Sequence, residues 1–235
     1  MKYYYDLHIH TALSPCADND MTPNNIVHMA LLKGLDFIAI TDHNTAGNVD
    51  AVMQCASSKD IIVIPGMEVE SAEEVHILCL FPTLKDAKSM EELIAKNLPP
   101  IKNRADIFGE QILYDKGDNV IGYHENLLVT ATSLTINDIK DSAENFGGVA
   151  IPAHIDRSSY SIISNLGFIS EDLNFSTVEI SKRNNNILNY YLQLNHYKII
   201  CNSDAHDLGQ ISEAENSIEL EEKTISCLFH YLKQK

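Results

Sequence analysis

Five times along this chain a short apolar run of strand length ends in residues whose side chains bind metal ions. Tyr3-Tyr4-Tyr5-Asp6-Leu7-His8-Ile9-His10 is the first, and Phe37-Ile38-Ala39-Ile40-Thr41-Asp42-His43 the second. Ile61 to Pro65 leads to Glu68, Val149-Ala150-Ile151-Pro152-Ala153 to His154, and Ile199-Ile200-Cys201-Asn202-Ser203 to Asp204 and His206. Strands of an α/β barrel deliver the residues at their C-terminal ends to one rim, so side chains this far apart in sequence converge. Imidazoles and carboxylates meeting there make a metal centre, and the pattern predicts a metallohydrolase.

The rest of the chain supports an alternating β/α order. Thr22-Pro23 reads as an N-cap with proline in the first turn, Ile26, Val27, Ala30 and Leu31 form an apolar face, and Gly34 closes that helix. Strands are expected at about 3–8, 36–41, 61–66, 75–80, 149–153, 177–181 and 197–202, with helices near 48–57 and 184–195 and at the C-terminus. The gap between Ile64 and Val75 is too short for a crossover helix, so a hairpin or distortion is expected there. Thr135 and Asp138 form a capping box for a further helix that ends at Gly147-Gly148. With 235 residues, 45% of them hydrophobic, the expectation is a single domain. Its fold class is α/β, a distorted (β/α)7 TIM-like barrel, with a helical insertion after strand 4 at 81–148 that is a candidate lid.

Seventeen basic against 33 acidic residues give a net charge of −16. Sequence-independent attraction to a phosphate backbone is therefore disfavoured, which predicts no long nucleic acid among the partners. A small anion remains compatible, because bound metal ions dominate the field at short range. The five scattered cysteines lack CxxC spacing and fit a reducing cytosol. No stretch has the length and apolarity of a membrane span or of a signal sequence, so a cytoplasmic protein with no membrane partner is expected. The sequence assigns no oligomeric state.

His-x-His on a strand points two imidazoles to one face, where both can reach one ion. With that pair the chain resembles the PHP (polymerase and histidinol phosphatase) family of metal-dependent phosphoesterases. The matching motifs, in family order, are Asp6-Leu7-His8-Ile9-His10, Gly34 to His43, Pro65-Gly66-Met67-Glu68-Val69, Pro152-Ala153-His154 and Ser203-Asp204-Ala205-His206. The resemblance spans about residues 3–206. It implies two or three divalent ions, commonly zinc, manganese or iron.

By position, the resemblance implies that His8, His10, Glu68 and Asp204 hold one ion, and that Glu68 bridges to a second held by His76 and His154. His43 and His206 would belong to a third. The family completes that third site inside a Ser-Asp-Gly motif, where this chain reads Ser14-Pro15-Cys16-Ala17-Asp18-Asn19-Asp20. Counting back from Pro23 aligns Asp18 with the family carboxylate and makes it the chosen ligand, while counting forward from His8 lands near Cys16, the runner-up, whose thiolate is also a good zinc ligand.

The resulting expectation is hydrolysis of a small phosphorylated metabolite by a metal-activated hydroxide. Asp42 and Asp6 are candidates to orient coordinated histidines, with Asp42 the catalytic choice. Arg157 and Arg183, after the fifth and sixth strands, are the candidates for gripping the phosphate. His124 is a weaker candidate from the lid. Two other readings are an amidohydrolase-type C–N hydrolase, for which no bridging lysine follows a strand as clearly as Glu68 does, and a non-catalytic metal-binding regulatory module.

Overall fold

A computed structural model describes residues 1–181 and 192–234. Strand β1 (Lys2–Ile9), helix α1 (Pro23–Leu32), β2 (Phe37–Ile40), α2 (Val49–Ala56) and β3 (Ile62–Glu70) give three parallel strands with their connecting helices. Helix α1 starts as its sequence dictates. The Thr22 hydroxyl accepts from the Asn25 N–H, Pro23 occupies the first turn, and Gly34 at φ 74° turns the chain out.

Strand β3 runs past its expected end and turns straight back into β4 (His76–Leu80), pairing antiparallel from Gly66↔Leu80 to Glu70↔His76. This is the hairpin that the short gap required. Glu68 and His76 thereby share one face of the same two-strand ladder as diagonal neighbours.

The 81–148 segment holds α3 (Leu84–Asn97), α4 (Ala105–Phe108), the hairpin β5 (Ile112–Tyr114) and β6 (Val120–Tyr123), and α5 (Ile136–Asn145). Its helices were expected; the hairpin was not. The hairpin packs on the loop after His10, with the Ile112 N–H 2.9 Å from the Ala12 carbonyl and the Asn48 amide bonding both Ile112 and Thr11. Gly109 sits so close that a Cβ there would fall 2.1 Å from the Pro15 carbonyl oxygen. The Thr135–Asp138 capping box on α5 is present.

Strand β7 (Val149–Pro152) pairs antiparallel with β4, while β8 (Thr177–Ile180) and β9 (Lys198–Cys201) form a separate parallel pair. Helix α6 (Ile162–Leu166) lies between β7 and β8, and β10 (Ser217–Glu219) joins the free edge of β1 before α7 (Ile225–Lys233). Among the described residues the ladders therefore make a curled, mixed α/β sheet and two small sheets, instead of one regular parallel barrel. The reason lies in the β3–β4 hairpin, which reverses β4 without a crossover helix. The expected helix near 184–195 lies largely outside the described residues, and 192–196 form a 3₁₀ turn.

Alternation along the buried strands splits the core in two. Ile38 and Ile40 pack with Ile26, Val27, Val49 and Val52 of the helices, while Phe37 and Ala39 face Tyr5, Leu7, Ile64 and the α7 residues Leu228, Phe229 and Leu232. Each such side chain contributes about 1.5–3 kcal/mol on burial, and this two-sided packing fixes the strand ends that carry the site. No described helix is long and apolar enough to cross a membrane.

Candidate metal centre

Single backbone links join the separate sheets at the strand ends where the ligand residues stand. His10 N–H donates to the Ala205 carbonyl at 3.0 Å, Ala205 N–H to the His8 carbonyl at 3.3 Å, and Ile155 N–H to the Glu179 carbonyl at 2.9 Å. Two of the residues that follow the strands, His154 at φ 30° and Asp204 at φ 53°, have left-handed backbones that L-residues rarely adopt. Surrounding bonds hold them there, which is how strain persists at sites where side-chain direction matters.

Glu68 is the hub. Its Oε1 lies 2.9 Å from His76 Nδ1, 3.0 Å from His154 Nε2 and 3.4 Å from His8 Nε2; its Oε2 lies 3.1 Å from His43 Nδ1 and 3.4 Å from His10 Nε2. Asp204 Oδ1 stands 3.0 and 3.2 Å from the Nε2 atoms of His10 and His8. Three overlapping sets have the spacing to hold an ion: His8, His10, Glu68 and Asp204; His43, Glu68 and His76; and His10, His43 and His206. His154 joins through Glu68.

Electrostatics favour added positive charge at this point. Burial alone would lift the Glu68 carboxyl, but His76 and His8, with the His10 and His154 imidazoles beside it, hold it well below the usual carboxylate range. Burial likewise opposes ionisation of Asp204, and His8 and His10 outweigh it to lower that carboxyl. His8 is raised well above an ordinary imidazole despite its burial, by Glu179, Asp204 and Glu68. Burial, with the neighbouring Glu74 and Glu68, pushes nearby Glu70 up to about 7, opposed by the charge of His43 and by His76 Nε2 at 4.0 Å. Four buried side-chain polar atoms among the described residues lack a hydrogen-bond partner, and three of them, Glu68 Oε2, His154 Nδ1 and Asp204 Oδ1, are in this cluster. Unsatisfied buried polar atoms, two of them carboxylate oxygens, concentrated in one place fit a bound cation.

The structure thus brings together His8, His10, His43, Glu68, His76, His154, Asp204 and His206. Asp18 stands apart: it is exposed, meets His206 through its own N–H at 2.8 Å from the carbonyl, and belongs to none of the three sets. Cys16 is also exposed and outside the three sets, but its side chain hydrogen-bonds His206 and His43; desolvation raises its thiol, and those two contacts outweigh it to bring the thiol down to about 5. The backward count to Asp18 failed to register that the loop curls at Ser14–Ala17, which turns Cys16 toward the imidazoles. Asp42 acts at one remove. It is buried and accepts from the Thr11 and Ser14 hydroxyls at 2.8 Å, and Ser14 Oγ lies 2.8 Å from His10 Nδ1.

Asp6 meets no histidine among the described residues and accepts from the N–H groups of Ser203 and Ser212. Arg157 reaches the cluster, with Nη1 2.5 Å from Asp204 Oδ2, and keeps 41% of its side chain exposed. It borders a cavity of about 800 Å³ among the described residues, shared with Ser181, Asn202, Gln210 and Ser212. Arg183 lies outside the described residues. His124 bonds the Asn126 carbonyl and stays outside the three ligand sets.

Sequence reasoning missed Glu179. It is buried on β8, lies 3.0–3.1 Å from His8 Nδ1, and accepts from the Asn202 amide. The available signal was a lone carboxylate inside the short strand Thr177-Val178-Glu179-Ile180.

The chain is 24% identical to the uncharacterized protein YqxK of Bacillus subtilis over 92% of its length and 58% of that protein. It is 36% identical to the 5'-3' exoribonuclease Rnm of Salmonella typhimurium over 32% of this chain and 27% of that protein. Two crystal structures of Endonuclease Q share its fold. The lesion-specific endonuclease from Pyrococcus furiosus superposes with a TM-score of 0.71 at 18% identity, covering 99% of this chain and 56% of that one. A complex of Endonuclease Q with a 27-mer duplex substrate bearing an abasic lesion at the active site gives 0.70 at 19% identity, covering 99% and 57%. The chain therefore spans little more than half the length of YqxK and of the Endonuclease Q chains.

The named activities among these proteins are on nucleic acid. They overturn both the expected small phosphorylated metabolite and the expected absence of a long nucleic-acid partner. The net charge misled because it sums the whole surface, whereas a metal centre reads one phosphate through its local field. The PHP domain family matches residues 6–214, nearly the full length of these strands and their ligands, and the chain belongs to that family.

Proposed function

We propose that this chain is a metal-dependent phosphodiesterase acting on nucleic acid. The observation that carries the reading is Glu68, buried between five imidazoles, with one oxygen facing each half of the cluster. His8, His10, Glu68 and Asp204 would hold one ion and Glu68, His76 and His154 a second, with zinc, manganese or iron as the metals. Bound divalent ions would supply an acidified water and neutralise charge on the phosphoryl oxygens. The chain itself orients the ligands, through Ser14 and Asp42 behind His10 and through Glu179 behind His8. Arg157, paired to Asp204 and half-exposed, is positioned to donate to a non-bridging phosphate oxygen.

Metal-loaded protein should cleave phosphodiester bonds in a panel of single-stranded RNA and DNA and of duplexes with an abasic site, and His8→Ala should not. Protein that holds its metals but leaves every oligonucleotide intact refutes the reading.

For the third ion we propose His43 and His206 beside His10, with Cys16 as the thiolate ligand in place of a carboxylate. Cobalt-substituted wild type should show thiolate-to-cobalt charge-transfer absorption, and Cys16→Ser should lose that band with about one ion per chain. Asp18→Asn should keep both. A band that survives Cys16→Ser, or a third ion lost in Asp18→Asn, contradicts the assignment.

A further inference from the structure

Tyr160 has an unusual conformation for a bulky residue, with φ at 54° in the left-handed region that favours glycine and asparagine. Several bonds enforce it. Its carbonyl accepts the His76 N–H at 3.0 Å, and the next residue, Ser161, caps α6 and donates through Oγ to the Arg157 carbonyl at 2.8 Å. Ile162, one residue further, is buried in the core. The outcome is a phenol ring stacked on the His76 imidazole, centroids 4.9 Å apart and planes 22° apart, with 48% of the residue exposed.

Burial does not account for this placement, since nearly half of the residue remains in solvent. Nor does hydrogen bonding of the hydroxyl, which has no partner among the described residues. What the backbone strain achieves is a flat aromatic surface at the mouth of the ligand cluster, one ring away from Glu68. An outlying backbone held by its surroundings beside a reactive centre is a reason to look for function.

We propose that Tyr160 is a stacking platform for a nucleobase next to the scissile phosphate, a reading that rests on the phosphodiesterase activity proposed above. A base laid on the open part of the ring would extend the stack that begins at His76, and its attached phosphate would face the cluster. Every base has a π-face, so the platform selects for a base without reading its identity. Tyr160 is thereby a substrate-positioning group, and cleavage depends on a base at one defined step from the bond.

Tyr160→Asn removes the ring while suiting the left-handed backbone, and Tyr160→Phe keeps the ring without the hydroxyl. On an oligonucleotide substrate the Asn variant should raise KM about tenfold with little change in kcat, and Phe should restore the wild-type value. One abasic residue walked along the substrate should find a single position at which wild type and Tyr160→Asn become equal. Independently of turnover, fluorescence of 2-aminopurine at that position should be quenched on binding wild type and Tyr160→Phe, and not on binding Tyr160→Asn.

Equal KM values for wild type and Tyr160→Asn on intact substrate, with equal quenching, would overturn the platform while leaving the phosphodiesterase standing. If wild type cleaves no oligonucleotide and quenches none, both proposals fall. Quenching that needs Tyr160 without cleavage would refute the phosphodiesterase alone.

Discussion

Replacing Glu68 by glutamine is expected to lower phosphodiester turnover by about a thousandfold or more and to strip the centre of most of its metal. The substitution is nearly isosteric, so it tests charge and ligand character with little change in packing. Glu68 is 1% exposed and belongs to two of the three ion-holding sets. A glutamine can offer only one neutral oxygen, and its NH₂ would point a donor at either His43 and His10 or His76, His154 and His8. Both bridged ions should therefore be lost together, while His10, His43 and His206 keep the one set that does not contain Glu68. Metal analysis after dialysis should show that selective loss, and His154→Ala should lose less, since His154 meets only Oε1. Wild-type metal content in Glu68→Gln would show that the hub is structural.

Much of this centre was legible because its ligands stand in or just after strand-length apolar runs. His8 and His10 share a face by the period of two, and Asp204 and His206 come just after the apolar run of β9. The β3–β4 reversal was legible too, from a gap too short for a helix. What escaped was whatever depends on contacts between distant segments. The β5–β6 hairpin has strands of three and four residues, and β6 is mostly exposed, so no alternation announces it. Cys16 could not be separated from Asp18 by counting, because the loop's curl is set by Gly109 and Asp42 far along the chain. Charge failed as a guide to partner for a related reason: a sum over 33 acidic residues carries no information on where they lie.

Glu179→Gln should weaken metal binding about 10–100-fold although Glu179 belongs to none of the three ion-holding sets. Its carboxylate is fully buried, 171 residues away from His8 in sequence, and faces His8 Nδ1 with both oxygens. A carboxylate can only accept there, so the proton sits on Nδ1 and the lone pair on Nε2, the atom that faces His10, Glu68 and Asp204. Glutamine can turn its NH₂ toward Nδ1, which moves the proton to Nε2 and removes His8 as a ligand. Nitrogen chemical shifts of His8 in the metal-loaded protein should show a protonated Nδ1 and a metal-bound Nε2 in wild type and lose that pattern in Glu179→Gln, and competition with a chelator should report the weakened ion. Glu179→Ala is the harsher change, because it also strands the Asn202 amide and the His154 N–H, each left unpaired at about 1–3 kcal/mol. Its melting temperature should fall well below that of Glu179→Gln, whose fold should survive. Wild-type affinity in Glu179→Gln would mean that the packing around His8 fixes its tautomer without help, and that the buried carboxylate serves only to tie β8 to Asn202 and to the left-handed turn at His154.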